Sequence, residues 1–275
     1  MSYHILAFDS GIGGIGIVRS LFEQAQQTNL NLSIDYLADN LVFPYGEQED
    51  NFLIQRIITL IGKAIDKLEP DLVIIACNTA STIALQALRE HYPNTEFVGC
   101  VPPIRWAARI SQTKHIGLLA TRATVQRPYL KSLKEQFAAD CQLIGYGSPI
   151  LAKIAEQIFR QESYNPENIA QEIHALLSMP SAEQIDTVCL GCTHYTFVLP
   201  HLQELSPRHI QWLDPANAVA KHALDLIAAK TITPNNNTPR TNRFYYTALP
   251  NEDKALLEQI TYMGYTKLRH FQSQK

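Results

Sequence analysis

The sequence predicts an α/β protein of two pseudo-symmetric parallel-sheet domains facing each other across a cleft, and three observations predict it. Short apolar runs alternate with longer segments of helical period, the pattern of strands joined by helical crossovers. The alternation starts again at HIGLLAT, residues 115 to 121. Finally, two pairs of strand segments match at nearly equal offsets. HILAFDS and HIGLLAT align His4 with His115 and Ser10 with Thr121, 111 residues apart; DLVIIAC and DTVCLGC align Asp71 with Asp186 and Cys77 with Cys192, 115 apart. A duplicated α/β unit follows.

In order, HILAF gives a first strand and residues 15 to 27 a helix. LSIDYLA precedes a helix at 49 to 69, and DLVIIA one at 79 to 92. In the second of these helices Phe52, Leu53, Arg56, Ile57, Leu60, Ile61, Ala64, Ile65 and Leu68 fall on one stripe, mostly apolar. The second half repeats the scheme: HIGLLAT, a helix near 123 to 138, CQLIGY, helices across 150 to 178, and DTVCLG. The tail holds IQWLDPANAVAKHALDLIAA as a strand and helix, the polar loop TPNNNTPRTNR, an FYYTALP strand and a last helix. The tail is expected to return to the first sheet, giving domains 1–99 plus 210–275 and 100–209.

With 275 residues, 46% hydrophobic and 18% charged, the chain can bury sizeable cores. A net charge of -3 with dispersed Lys and Arg leaves no basic footprint for nucleic acid or a membrane surface. No apolar run reaches the roughly 18 residues of a membrane span. The N-terminus lacks the pattern of a secretion signal, so the expected compartment is the cytoplasm. Five cysteines, an odd number, argue against a disulfide framework.

FDSGIGGIGI places Gly11, Gly13 and Gly16 in G-x-G-x-x-G spacing after a strand, as a dinucleotide-binding turn requires, with Asp39 about 20 residues on. Asp9 and Ser10 stand between the strand and Gly11, however, and a carboxylate there repels a pyrophosphate while suiting an ammonium. A tight turn in which Asp-Ser caps the helix is the bland alternative. Asp39-Asn40 leads into FPYG at the carboxyl end of the second strand, where ligands of open parallel sheets collect.

ACNTAST and GCTHYT each put a cysteine at a strand end ahead of hydroxyl residues that can cap the next helix, and a helix N-terminus favours thiolate. Either cysteine alone is better explained as filler of a strand end. Together, two thiols from halves that close face to face would suit inversion of a stereocentre α to a carboxylate, where one group removes a proton and the other delivers one to the opposite face. Rival chemistries fit less well. Cys189 in CLGC lies within a strand rather than at a helix start, which reads as structural rather than redox. No second ligand pair for zinc stands near Cys77, Cys100 or Cys141. A cysteine hydrolase with His194 as base would leave Cys77 unexplained.

DSGIGGIGIVRSL, D-N-x-x-x-PYG, ACNTAS, ATRATV, GCTHY and a late D-x-x-x-A-V-A, in that order over nearly the full chain, resemble the cofactor-independent glutamate racemases of the aspartate/glutamate racemase superfamily. The resemblance implies that Cys77 and Cys192 are the two acid/base thiols, Cys77 acting on the D-isomer and Cys192 on the L-isomer. It implies that Asp9 assists the first, that His194 assists the second, and that Glu156 in SPILAKIAEQ orients the histidine. It places Asp9, Ser10, Tyr45, Gly46, Asn78, Thr79, Thr121, Thr124, Thr193 and His194 around the substrate. LDPANA at 213 to 218 departs from the family's D-S-G, at Pro215 and Ala216. The implied function is racemisation of glutamate for peptidoglycan synthesis, with no cofactor and no metal, and with a small-molecule substrate and a second copy of the chain as partners. No lysine in the motifs is available for a pyridoxal Schiff base. The alternatives are a racemase of aspartate or another amino acid, and a nucleotide-binding module built on GIGGIG.

Overall fold

The computed structural model describes residues 2–229, 232, 234, 240–248 and 253–272. Contacts divide the chain into two units, Met1–Cys100 with Ala216–Lys275, and Val101–Pro215. The first unit runs β1 (Ser2–Asp9), α1 (Ile15–Gln27), β2 (Asn31–Ala38), α2 (Asp50–Leu68), β3 (Leu72–Ile75), α3 (Asn78–His91) and β4 (Phe97–Gly99). The second runs α4 (Ile104–Ile110), β5 (His115–Thr121), α5 (Arg122–Val125), α6 (Pro128–Phe137), β6 (Gln142–Ser148), α7 (Leu151–Phe159), α8 (Pro166–Leu177), β7 (Thr187–Gly191), α9 (Leu199–Glu204) and β8 (Gln211–Leu213). The chain then returns through α10 (Ala216–Ala228), β9 (Arg243–Tyr246), α11 (Lys254–Thr261) and β10 (Leu268–His270).

The duplication expected from the offsets is visible in the topology. The first sheet has the order β10-β9-β2-β1-β3-β4 and the second β6-β5-β7-β8, so each holds its own strands in the order second, first, third, fourth. Every pairing is parallel. The aligned aspartates do the same work: Asp71 accepts the His4 N–H at 2.7 Å, and Asp186 accepts those of Gln112 at 2.7 Å and Thr113 at 3.0 Å, just ahead of β5. Each carboxylate thus fastens the lead-in of its unit's third strand to the N-terminal side of the first, Asp71 within β1 and Asp186 just ahead of β5.

β1 is buried along its whole length and β3 reads LVII, as strands covered on both faces must. The apolar stripe of α2 packs with β1, β3 and α3 in one core, and α7, α8 and β7 share another in the second unit.

Several elements depart from the expectation. β8 pairs with β7, so residues 210 to 215 close the second sheet, and the return to the first unit comes at Ala216. β4, α4 and β10, at three, seven and three residues, are too short to show a period. The tail does complete the first sheet: β9 pairs with β2, fastened where Arg243 Nε donates to Asp35 Oδ1 at 2.9 Å and His4 Nε2 meets Asp35 Oδ2 at 2.8 Å. Most of the TPNNNTPRTNR loop, and the end of FYYTALP, lie outside the described residues. Among the described residues no helix is long and apolar enough to cross a membrane.

Candidate active site

In an open sheet of this order the strand sequence reverses between first and third strands, and ligands gather outside their carboxyl ends. In the first unit that point lies between β1 and β3. Asp9 ends β1, Cys77 follows β3, and Ala76 N–H donates to Phe8 O at 2.7 Å, so the two stand side by side. The same point in the second unit lies between β5 and β7, where the pairing of Ala120 with Gly191 sets Thr121 beside Cys192.

The glycine turn after β1 holds no left-handed residue. Asp9 Oδ1 accepts the Gly11 N–H at 2.7 Å, and Tyr36 Oη donates to Gly11 O at 2.8 Å. Asp9 closes the turn rather than capping α1, whose N-cap is Gly14 without a side-chain bond. Gly14 is also the glycine that space requires: a Cβ there would come within 2.7 Å of the Ala76 Cβ and 3.0 Å of Tyr36 Oη. The turn can therefore lie directly against the end of β3, one residue before Cys77.

Asp39 answers the nucleotide reading. It is fully buried, and its oxygens accept from Arg56 Nε (2.6 Å), Tyr45 Oη (2.6 Å) and Thr247 Oγ1 (2.6 Å), which leaves it no role on a ribose. It is instead the post to which the PYG turn is tied. Burial first, and then the Asp39 carboxylate, hold the Tyr45 phenol well above its ordinary pKa, so it remains a donor; the Cys77 thiol also acts on it electrostatically. Gly46 lies in the same turn, half-buried.

Cys77 caps α3 from extended backbone, and Asn78 and Thr79 open the helix, all three buried, as is Ser10 after β1. Both polar atoms of the Asn78 amide are buried without a hydrogen-bond partner among the described residues. An unmet buried amide costs about 1–3 kcal/mol, which a ligand carboxylate would relieve.

Cys192 occupies the same position after β7, at the head of a 3₁₀ turn, Thr193–Phe197. His194 Nδ1 lies 4.0 Å from Cys192 Sγ, and its Nε2 is 2.9 Å from Glu156 Oε1 on α7. An ionised carboxylate only accepts, so Nε2 carries the hydrogen, and in the neutral ring Nδ1 presents a lone pair to the thiol. Thr121 caps α5 through the Thr124 N–H, and the two hydroxyls are 2.9 Å apart. Thr193 is buried beside Cys192. Pro215 precedes α10, which opens at Ala216. Cys189 is sealed inside β7, where burial pushes its thiol far up and leaves it inert.

The structure thus groups Asp9, Ser10, Tyr45, Gly46, Cys77, Asn78 and Thr79 at strand ends of the first unit. It groups Thr121, Thr124, Glu156, Cys192, Thr193 and His194 in the second. Sequence reasoning missed Arg56, Thr247 and Arg160. Arg160, four residues after Glu156 on one helix, carried a readable signal in that spacing; Thr247, 208 residues from Asp39, carried none.

Fold and site define a class, the α/β enzymes whose functional side chains stand at the carboxyl ends of parallel strands. Within it, the family Asp/Glu/Hydantoin racemase matches residues 16–223. The glutamate racemase of Granulibacter bethesdensis is 47% identical over 220 residues, 80% of this chain and 77% of its own. That of Actinobacillus pleuropneumoniae is 40% identical over 224 residues, 82% of each. The crystal structure of Escherichia coli glutamate racemase, in complex with L-glutamate and the activator UDP-MurNAc-Ala, superposes with a TM-score of 0.89 at 30% identity over 98% of each chain. The chain belongs to the Asp/Glu/hydantoin racemase family and is an amino-acid racemase, an isomerase.

Proposed function

We propose that the protein interconverts L- and D-glutamate without a cofactor, by two-thiol acid/base chemistry, and supplies D-glutamate for peptidoglycan from the cytoplasm. The names of the relatives support the substrate. The observation that carries the chemistry is the line Cys192–His194–Glu156 behind one of two equivalently placed cysteines. With L-glutamate, the Cys192 thiolate takes the α-proton and the Cys77 thiol gives its proton to the opposite face. The product is D-glutamate, with Cys192 now protonated and Cys77 ionised; the reverse reaction exchanges the roles. His194 Nδ1 can take the Cys192 proton to ready the thiolate, and Asp9 is proposed to serve Cys77. Asn78, Thr79, Thr121 and Thr193, with Ser10, Thr124 and the Tyr45-Gly46 turn, would bind the substrate through amide, hydroxyl and backbone donors. We further propose a homodimer, which light scattering on the eluting protein would test.

Cys77→Ser and Cys192→Ser should each abolish racemisation, because a hydroxyl is not ionised near neutral pH, while glutamate binding by calorimetry persists. Racemisation at the wild-type rate in either variant would eliminate the two-thiol mechanism.

A further inference from the structure

We infer that Arg160 is a positioning residue of the second acid/base group: it holds one oxygen of Glu156 so that the other fixes the direction and tautomer of His194 toward Cys192. The inference rests on the reading of Cys192 as an acid/base thiol. Glu156 divides its carboxylate between two partners. Oε1 meets His194 Nε2 at 2.9 Å, and Oε2 is ion-paired with Arg160 Nη1. Arg160 is the C-cap of α7, one turn beyond Glu156, and the same Nη1 lies 3.4 Å from the Glu156 carbonyl. A guanidinium is favoured at that helix end, where unpaired carbonyls and the dipole present negative charge.

Both side chains are largely shielded, Arg160 at 17% exposure and Glu156 at 15%, so their pairing is not dissolved by solvent. A glutamate near the end of a helix otherwise has three rotatable bonds with which to leave its histidine. Arg160 removes that freedom. It also offsets the carboxylate's charge on His194 and Cys192. Other groups are close enough to contribute: Tyr195 in the same turn feels the Cys192 thiol, Glu172 of α8 and Tyr146 of β6. α7 also carries Lys153, one turn before Glu156, but the cation ion-paired with the Glu156 carboxylate is Arg160 at the helix end.

The test uses full-length Arg160→Gln and Arg160→Lys. The pH dependence of Cys192 alkylation by iodoacetamide is read by peptide mass spectrometry, and racemisation is measured from each enantiomer. Removing a nearby cation raises the proton affinity of its neighbours, so Arg160→Gln should move the alkylation midpoint up by about half a pH unit. It should lower kcat about tenfold, with KM within about twofold. Because enantiomers are equal in energy, kcat/KM must fall by the same factor in both directions. Arg160→Lys, which keeps the charge, should restore the midpoint and most of kcat. A purely structural arginine would move neither midpoint nor rescue pattern. Arg160→Met, which keeps the packing of the stem, replaces the glutamine variant if that one melts early. An unmoved midpoint with unchanged turnover, or a lysine variant as impaired as the glutamine one, overturns the inference. Wild-type turnover in Cys192→Ser would instead remove the acid/base reading beneath it, an outcome the alkylation midpoint, which needs no turnover, keeps distinct.

Discussion

Replacing Arg56 by Met should unmake the post that holds the PYG turn. Asp39 has no solvent exposure and Arg56 only 15%, so the substitution leaves a buried carboxylate with two neutral donors, Tyr45 and Thr247, in place of a two-point ion pair. Breaking a buried pair from one side costs about 3–5 kcal/mol, because the remaining charge stays out of water. For a chain of this size that is a fall of roughly 10 °C in the melting temperature of the first unit. The loss should also reach the site: with Tyr45 and Gly46 no longer anchored, KM for glutamate should rise several-fold. Removing both charges in Asp39→Asn with Arg56→Met should recover part of the loss, since two apolar or neutral partners leave no orphan. The assay is a double-mutant cycle by thermal unfolding, with initial-rate kinetics on each variant. Stability of the Arg56→Met variant within about 0.5 kcal/mol of wild type would refute the reasoning, for it would mean that Asp39 is either neutral or reached by water.

Burial pushes the Asp35 carboxyl up, but hydrogen bonds and charges from His4 and Arg243 outweigh it and hold its pKa below the ordinary 3.8. A folded value below the unfolded one adds stability that is complete above about pH 4 and lost as pH falls through the folded value. Asp35→Asn should therefore show a shallower loss of melting temperature on acidification; parallel curves would contradict the pairing. On substrate choice, one methylene in a fitted pocket is worth about 1–3 kcal/mol, so kcat/KM for glutamate should exceed that for aspartate by about tenfold or more. Equal rates would favour the aspartate alternative.

What the sequence disclosed was what repeats locally. Alternating strands and helices, the equal offsets of Asp71/Asp186 and Cys77/Cys192, and the positions of both cysteines were legible because each depends on a few consecutive residues. The second domain's edge was not, because IQWL carries no mark of which sheet it joins; only its pairing with β7 decides. Nor was the work of Asp39. Its spacing matched a ribose-binding carboxylate, and its partners Arg56 and Thr247 come from α2 and from the tail, which no local pattern connects. The glycine turn misled in a similar way. G-x-G-x-x-G drew attention to Gly11, Gly13 and Gly16, whereas the close approach is at Gly14.

The insertion of β9 beside β2 has a consequence for the order in which the protein is made. Asp35 must wait for Arg243, 208 residues further on, before that edge of the first sheet is covered. At about 5–20 residues per second the delay is roughly 10–40 s. Residues 101 to 215 are made before it ends and have everything their own sheet requires, whereas β2 emerges with one side unpaired, an open template for stray pairing. On the ribosome the middle of the chain can thus finish before the beginning. A cell short of chaperone capacity would be expected to lose this protein through its first-made sheet, and a stop codon ahead of residue 243 would be more damaging than the small number of residues it removes suggests.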